Sequence, residues 1–170
     1  MPRIHVCSLS RIADITEATG ARSLVTLVNR DIRVSRPSAI TPERHLHVAI
    51  SDICEAVDGH ILANDNHIQS LIHFVRAWDQ SQPIVIHCYA GVSRSTAAAY
   101  ITACALNPGA DEAAIAQQLR RASPTATPNA HLVALADRIL ARDGRMSAAI
   151  KQIGRGTDCF EADPFVLELD

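Results

Sequence analysis

The chain has 170 residues, of which 48% are hydrophobic and 20% are charged, which is enough to form one compact domain with its own core. Its formal net charge of -2 gives no overall attraction to nucleic acid or to an anionic membrane, so neither is predicted as a partner. The first residues lack a leader pattern, and no later stretch has the length of a membrane span. We therefore expect a soluble, cytoplasmic protein.

Short runs rich in β-branched residues alternate with helical patterns, which predicts an α/β domain with a central, mostly parallel sheet of about four to five strands flanked by helices. The apolar run in residues 23–28 is typical of a strand buried on both faces, whereas the alternation in 45–50 favours an edge or half-exposed strand. The predicted strands are residues 4–7, 23–28, 45–50 and 83–87.

Apolar residues at helical spacing, with capping residues before them, predict four helices. They are residues 64–79, 93–105, 111–121 and 129–142. The proline-bearing stretch 30–42 is predicted to be an exposed loop, and residues 154–170 a C-terminal tail. We expect a single domain over residues 1–170 with a core of about 22–142.

The cysteines are odd in number and include no C-x-x-C pair, which argues against a disulfide framework and against a thiolate zinc site. They are Cys7, Cys54, Cys88, Cys104 and Cys159. The histidines form no ligand-like cluster, so no metal site is predicted.

The segment 87–95 has the sequence HCYAGVSRS and joins a predicted strand to a predicted helix. In this context successive backbone N–H groups can converge on one anion at the positive end of the helix, which also favours the thiolate form of Cys88. Gly91 would allow a positive φ, and the planar guanidinium of Arg94 suits two phosphoryl oxygens. The predicted phosphate-binding loop is Tyr89, Ala90, Gly91, Val92, Ser93 and Arg94.

These residues resemble the signature loop of the protein tyrosine phosphatase superfamily, especially its compact dual-specificity branch. The order of elements around the loop is also similar: a strand, then Asp52, then a helix, then the strand that ends in Cys88. Pro128-Asn129 is similar to the Pro-Asn that opens the last core helix of those enzymes. The resemblance covers roughly residues 22–142.

The resemblance implies a cysteine-dependent phosphatase that needs no metal or organic cofactor. Cys88 would be the nucleophile and would form a phosphocysteine, and Arg94 would hold the phosphoryl group. Asp52 would be the general acid and then the base, with Asp58 as an alternative because the stretch after Asp52 is longer than in compact relatives. His87 would orient the loop, and Ser95 or Ser93 would donate to the departing thiolate.

The loop adds no lysine that would favour highly anionic inositol phosphates. The expected substrate is therefore a phosphorylated protein or a small phosphomonoester. In a protein substrate the enzyme would act on phosphotyrosine or, as a dual-specificity phosphatase, on phosphoserine and phosphothreonine as well. Two alternatives stay open. One is a catalytically weak or inactive phosphate-binding module of the same fold, and the other is an arsenate reductase, which would need a resolving cysteine near the loop.

Overall fold

The computed structural model describes residues 2–169, which form one α/β domain with a five-stranded sheet. The strands are β1 (Arg3–Cys7), β2 (Ser23–Val28), β3 (His45–Ala49), β4 (Ile84–His87) and β5 (Phe165–Glu168). The helices are α1 (Ile12–Thr19), α2 (Asp65–Ala77), α3 (Arg94–Leu106), α4 (Glu112–Ala122), α5 (Ala130–Ile139) and α6 (Arg145–Ile153). No helix within residues 2–169 combines the length and the apolar character needed to cross a membrane.

The strand order across the sheet is β3-β2-β4-β1-β5. The first four strands in this order are parallel to one another, and β5 pairs antiparallel with β1. The predicted strand classes are confirmed, because every residue of β2 is buried and β3 lies at an edge. Since parallel strands end at the same edge, the loops after β2, β3 and β4 meet there.

The two faces of the sheet have different cover. On one face α1 packs with Cys7, Leu24, Ile40 and Val85. The other face supports the larger core, to which α2, α3, α4, α5 and α6 contribute buried residues. The central helix of that layer is α3, whose residues Arg94–Ala105 are all buried. Its run of alanines allows this close approach, because it leaves little side chain between the helix and its neighbours.

The predicted helix 129–142 is too long, because α5 ends at Ile139. The backbone turns there, with positive φ at Ala141, Asp143 and Gly144. The buried carboxylate of Asp137 accepts hydrogen bonds from Gly144 N and Met146 N, both at 2.7 Å, and so caps the start of α6 from the preceding helix. A cap supplied by another helix leaves no local sequence signal, and α6 has no counterpart among the predicted helices.

Two further elements, α1 and β5, also have no predicted counterpart. The strand β5 lies within the segment interpreted from sequence as a tail, and its partner β1 pairs on its other side with β4. Its residues show little alternation, since only Leu167 is fully buried. The pairing with β1 therefore depends on a long-range contact between the two ends of the chain.

Candidate active site

The carbonyl oxygens of the loop between β4 and α3 accept hydrogen bonds from backbone N–H groups of other segments. The four bonds are Leu9 N to Tyr89 O (3.0 Å), Ala162 N to Ala90 O (2.9 Å), Thr127 N to Val92 O (2.9 Å) and Asn129 N to Ser93 O (3.2 Å). With the carbonyls directed away, the amides of residues 89, 90, 92, 93 and 94 donate to no group within residues 2–169. Such a set of free amides at a helix N-terminus is suited to an oxyanion.

Gly91 allows the loop to close on β1. Its φ is +75°, as predicted from the sequence, and a Cβ on it would lie 3.1 Å from both Cys7 C and Ser8 N. Any side chain here would therefore be strained by its backbone conformation and would also press on the neighbouring strand end.

Cys88 lies at the bottom of this loop, where its side chain is almost completely buried. Its Sγ accepts a hydrogen bond from Gly91 N at 3.3 Å and lies 3.1 Å from Ser95 Oγ. When Cys88 is a thiolate, the Ser95 hydroxyl can donate to it. The surroundings thus offer the sulfur two donors.

Arg94, the first residue of α3, is buried and fixed by one end of its guanidinium. Nη1 donates to Ile50 O at 2.8 Å and to Asn29 Oδ1 at 2.7 Å. Its Nε has no hydrogen-bond partner within the described chain although it is buried. A buried, unpaired N–H of a cation is costly, and an oxyanion held by the loop would satisfy it.

A chain of hydrogen bonds runs from the sheet edge to the backbone of Cys88. His87 Nδ1 lies 3.0 Å from Cys88 O, His87 Nε2 lies 2.7 Å from Thr26 Oγ1, and Thr26 Oγ1 lies 2.7 Å from His45 Nε2. Because a carbonyl only accepts, Nδ1 of His87 carries the proton and its Nε2 accepts from the Thr26 hydroxyl. Thr26 in turn accepts from His45, so His87 is held in one tautomer and orientation.

This arrangement predicts a pH-dependent stability. Burial lowers the pKa of His87 from 6.5 to about 4, and the nearby positive charge of Arg94 acts in the same direction. Between these values the unfolded chain binds a proton that the folded protein does not, so the free energy of unfolding falls as pH falls through this window. The loss should be about 3 kcal/mol. Urea unfolding across that pH range should show it in the wild type, and His87→Asn should lack this part. An identical pH dependence in both proteins would contradict the assignment.

Asp52 follows β3 and lies beside the loop. Its Oδ1 accepts from Ser93 Oγ at 2.7 Å and from Asn129 Nδ2 at 2.9 Å. Asn129 also caps α5 by accepting from His131 N and Leu132 N, so one side chain links that helix to the carboxyl group. The two bonds to Oδ1 fix the orientation of Asp52, whereas its Oδ2 makes no hydrogen bond within residues 2–169.

An open cleft of about 420 Å³ gives access to the loop. Asp52 lines it together with Cys88 and Arg94, whereas Asp58 does not. Asp58 lies in the exposed turn that His60 N closes on Val57 O, at 3.1 Å. The full lining is Asn29, Asp31, Ile32, Asp52, Cys88, Tyr89, Ala90, Val92, Ser93 and Arg94.

Sequence reasoning missed three residues of this site: Asn29, which holds Arg94, Asp31, which lines the cleft, and Thr26, which bridges two histidines. Asn29 and Asp31 follow a buried strand directly, and polar residues at that position of a parallel sheet are a usable signal. Thr26 gives no such signal, since a threonine within a strand is ordinary.

Cys7 lies beside the loop, since its backbone is next to Gly91. Its thiol packs on the α1 side of the sheet, and burial, followed by the proximity of Cys88, raises its pKa to about 12. A thiol in this state is a poor nucleophile, so Cys7 is not suited to be the resolving cysteine that an arsenate reductase would need.

Within residues 2–169, no group of three histidine, cysteine or carboxylate side chains could hold a metal ion.

Comparisons with known proteins give one family match and several similar folds. Residues 57–130 match the family model of protein-tyrosine phosphatases. The structure is similar to DUSP15 (15% identity, TM-score 0.65, covering 89% of this chain and 92% of that chain). It is also similar to human DUSP28, at 17% identity and a TM-score of 0.62, covering 82% of this chain and 92% of that chain. The PTP-2 phosphatase of Cydia pomonella is 21% identical with a TM-score of 0.61, and the match covers 79% of this chain and 84% of that chain. No curated protein matches the sequence significantly.

Proposed function

We propose that this chain, in which residues 57–130 match the protein-tyrosine phosphatase model and whose fold is that of compact dual-specificity phosphatases, hydrolyses phosphomonoesters through a phosphocysteine at Cys88. The observation that carries the proposal is the anion site directly above the sulfur. It combines the free amides of the loop with the buried, unpaired Nε of Arg94. A phosphoryl group in this site would have its phosphorus next to the nucleophile.

In the first step the Cys88 thiolate attacks phosphorus, so that an S–P bond forms while the P–O bond to the leaving group breaks. Arg94 and the loop amides hold the three equatorial oxygens and their charge. Asp52, protonated on the free Oδ2, gives its proton to the departing oxygen. Ser93 and Asn129 keep the carboxyl group in place through its other oxygen.

In the second step water attacks the phosphocysteine. The Asp52 carboxylate takes a proton from the water, an O–P bond forms, and the S–P bond breaks. The Ser95 hydroxyl, 3.1 Å from the sulfur, donates to the thiolate as it leaves. The sum is one phosphomonoester and one water converted to an alcohol and inorganic phosphate, with the protein restored.

The substrate that fits is a phosphorylated protein or a small phosphomonoester with one phosphoryl group. Arg94 is the basic residue of the cleft lining, and Asp31 and Asp52 add negative charge there. Highly anionic inositol phosphates would be repelled at this entrance.

The free cysteines support a further proposal, that the protein works in a reducing, cytoplasmic environment.

The proposal is tested with p-nitrophenyl phosphate in the presence and absence of a chelator. We expect turnover that the chelator leaves unchanged, because cysteine, arginine and aspartate provide every step. Activity lost on chelation would indicate metal-dependent hydrolysis and contradict the proposal. Binding of phosphate without any turnover would favour the inactive phosphate-binding module instead.

A further inference from the structure

Three large hydrophobic side chains are exposed within the described chain. They are Val57 (46% exposed), Tyr89 (60%) and Phe160 (104%). Exposing apolar side chains to water is unfavourable. A group of exposed apolar side chains marks a contact surface more often than a single one does. Their positions in the fold are therefore informative.

Each of the three lies on a different segment at the carboxyl edge of the parallel strands. Val57 is in the loop after β3, and Tyr89 is in the loop after β4. Phe160 precedes β5, which is antiparallel to β1 and therefore starts at that same edge. In the order β3-β2-β4-β1-β5, the loop with Tyr89 lies between the other two segments. With neighbouring strands about 4.8 Å apart, the sheet edge from β3 to β5, from which these segments extend, is about 20 Å wide.

The segment with Phe160 is held against the phosphate-binding loop. Ala162 is buried, and its N donates to Ala90 O at 2.9 Å. Glu161 accepts from the Ser8 hydroxyl at 2.5 Å and also from the Ser10 hydroxyl. The two residues after Phe160 are thus fixed, and they keep the backbone of Phe160 near the phosphate-binding loop.

The loop with Val57 is closed at its base, where Ser51 N donates to Ile61 O at 2.9 Å. A second cleft of about 310 Å³ lies along this loop and shares Asn29 and Asp31 with the catalytic cleft. The two clefts therefore lie next to each other, one on each side of the segment with Asn29 and Asp31.

We propose that Val57, Tyr89 and Phe160 form a docking rim for the polypeptide that carries the phosphorylated residue. This proposal rests on the proposed function and assigns a preference to it. An extended chain rises about 3.3 Å per residue, so about six residues cross the sheet edge from β3 to β5. The preferred sequence has apolar side chains about three residues before and after the phosphorylated one. A charged side chain in these places would lose hydration against the apolar rim, so aspartate is disfavoured there.

The experiment uses three phosphotyrosine peptides that carry leucine, alanine or aspartate at the third position on both sides. We expect kcat/KM to be about tenfold higher for the leucine peptide than for the alanine peptide, with about threefold from partial burial of each of the two leucines, and lowest for the aspartate peptide. In Phe160→Ala and in Val57→Ala the advantage of leucine should fall to about threefold or less. Turnover of p-nitrophenyl phosphate, which is too small to reach the rim, should stay within about twofold of wild type. Arg121→Ala, an exposed change on α4, serves as the matched control and should keep the full preference.

Equal kcat/KM for the leucine and alanine peptides would overturn the rim. So would an equal loss on peptide and p-nitrophenyl phosphate in Phe160→Ala, because that indicates a structural effect on the loop. Peptide binding to Cys88→Ser, with and without Phe160→Ala, separates the two proposals. If the wild type turns over no substrate, the proposed function fails, and the same leucine preference in binding still decides for or against the rim.

Discussion

The Cys88→Ser variant should lose at least about 10⁴-fold in kcat/KM on any phosphomonoester, or about 5 kcal/mol of transition-state stabilisation. The serine hydroxyl is nearly the same size but is not ionised near neutral pH, so it is a weak nucleophile in the same place. The loop amides and Arg94 remain, so phosphate should still bind. Steady-state kinetics with p-nitrophenyl phosphate and calorimetric titration with phosphate measure the two parts.

Cys159→Ser is the matched control, because Cys159 is an exposed, free thiol on the segment before β5, which contacts the loop through Ala162. It should keep near-normal activity. Substantial hydrolysis by Cys88→Ser, or its loss in Cys159→Ser instead, would remove Cys88 from the role of nucleophile. Loss of phosphate binding together with activity in Cys88→Ser would point to a damaged loop, which thermal unfolding would reveal.

The second large effect is expected for Asp52, and it should depend on the leaving group. For alkyl phosphates, whose alkoxide leaves poorly without a proton, Asp52→Ala should cost about 10² to 10⁴ in kcat/KM, or about 3 to 5 kcal/mol. For aryl phosphates with acidic phenols the loss should be much smaller. A plot of log kcat/KM against the pKa of the leaving group should therefore be steeper in the variant than in the wild type.

Three further variants make this test specific. Asp52→Asn keeps an oxygen that can accept from Ser93 and Asn129 but cannot supply a proton, so it should behave like Asp52→Ala. Asp31→Asn changes another carboxylate of the cleft, and Asp58→Ala changes the alternative acid, which lies outside the lining. Both should leave the slope unchanged. A steeper slope in either of them, with a normal slope in Asp52→Asn, would reassign the acid.

The central strands and long helices could be predicted from the sequence because their signals are local. The apolar run of β2 and the helical spacing before β4 depend on a few neighbouring residues, and burial in the fold agrees with both. The elements without predicted counterparts depend on distant partners. Residues 165–168 form a strand through pairing with β1, and α6 starts where Asp137 of another helix caps it.

The site divides in the same way. The loop from Cys88 to Arg94 was predictable from the amino-acid sequence, because its residues are contiguous and their chemistry follows from a strand, a glycine turn and a helix N-terminus. The groups that surround the loop became known only from the folded chain: Asn29 and Ile50 O contact Arg94, Asn129 contacts Asp52, and Ala162 contacts Ala90. These contacts join segments that are far apart in the chain, because the parallel sheet brings the ends of its strands to one edge. A pattern of neighbouring residues cannot predict a contact between segments so far apart in the chain.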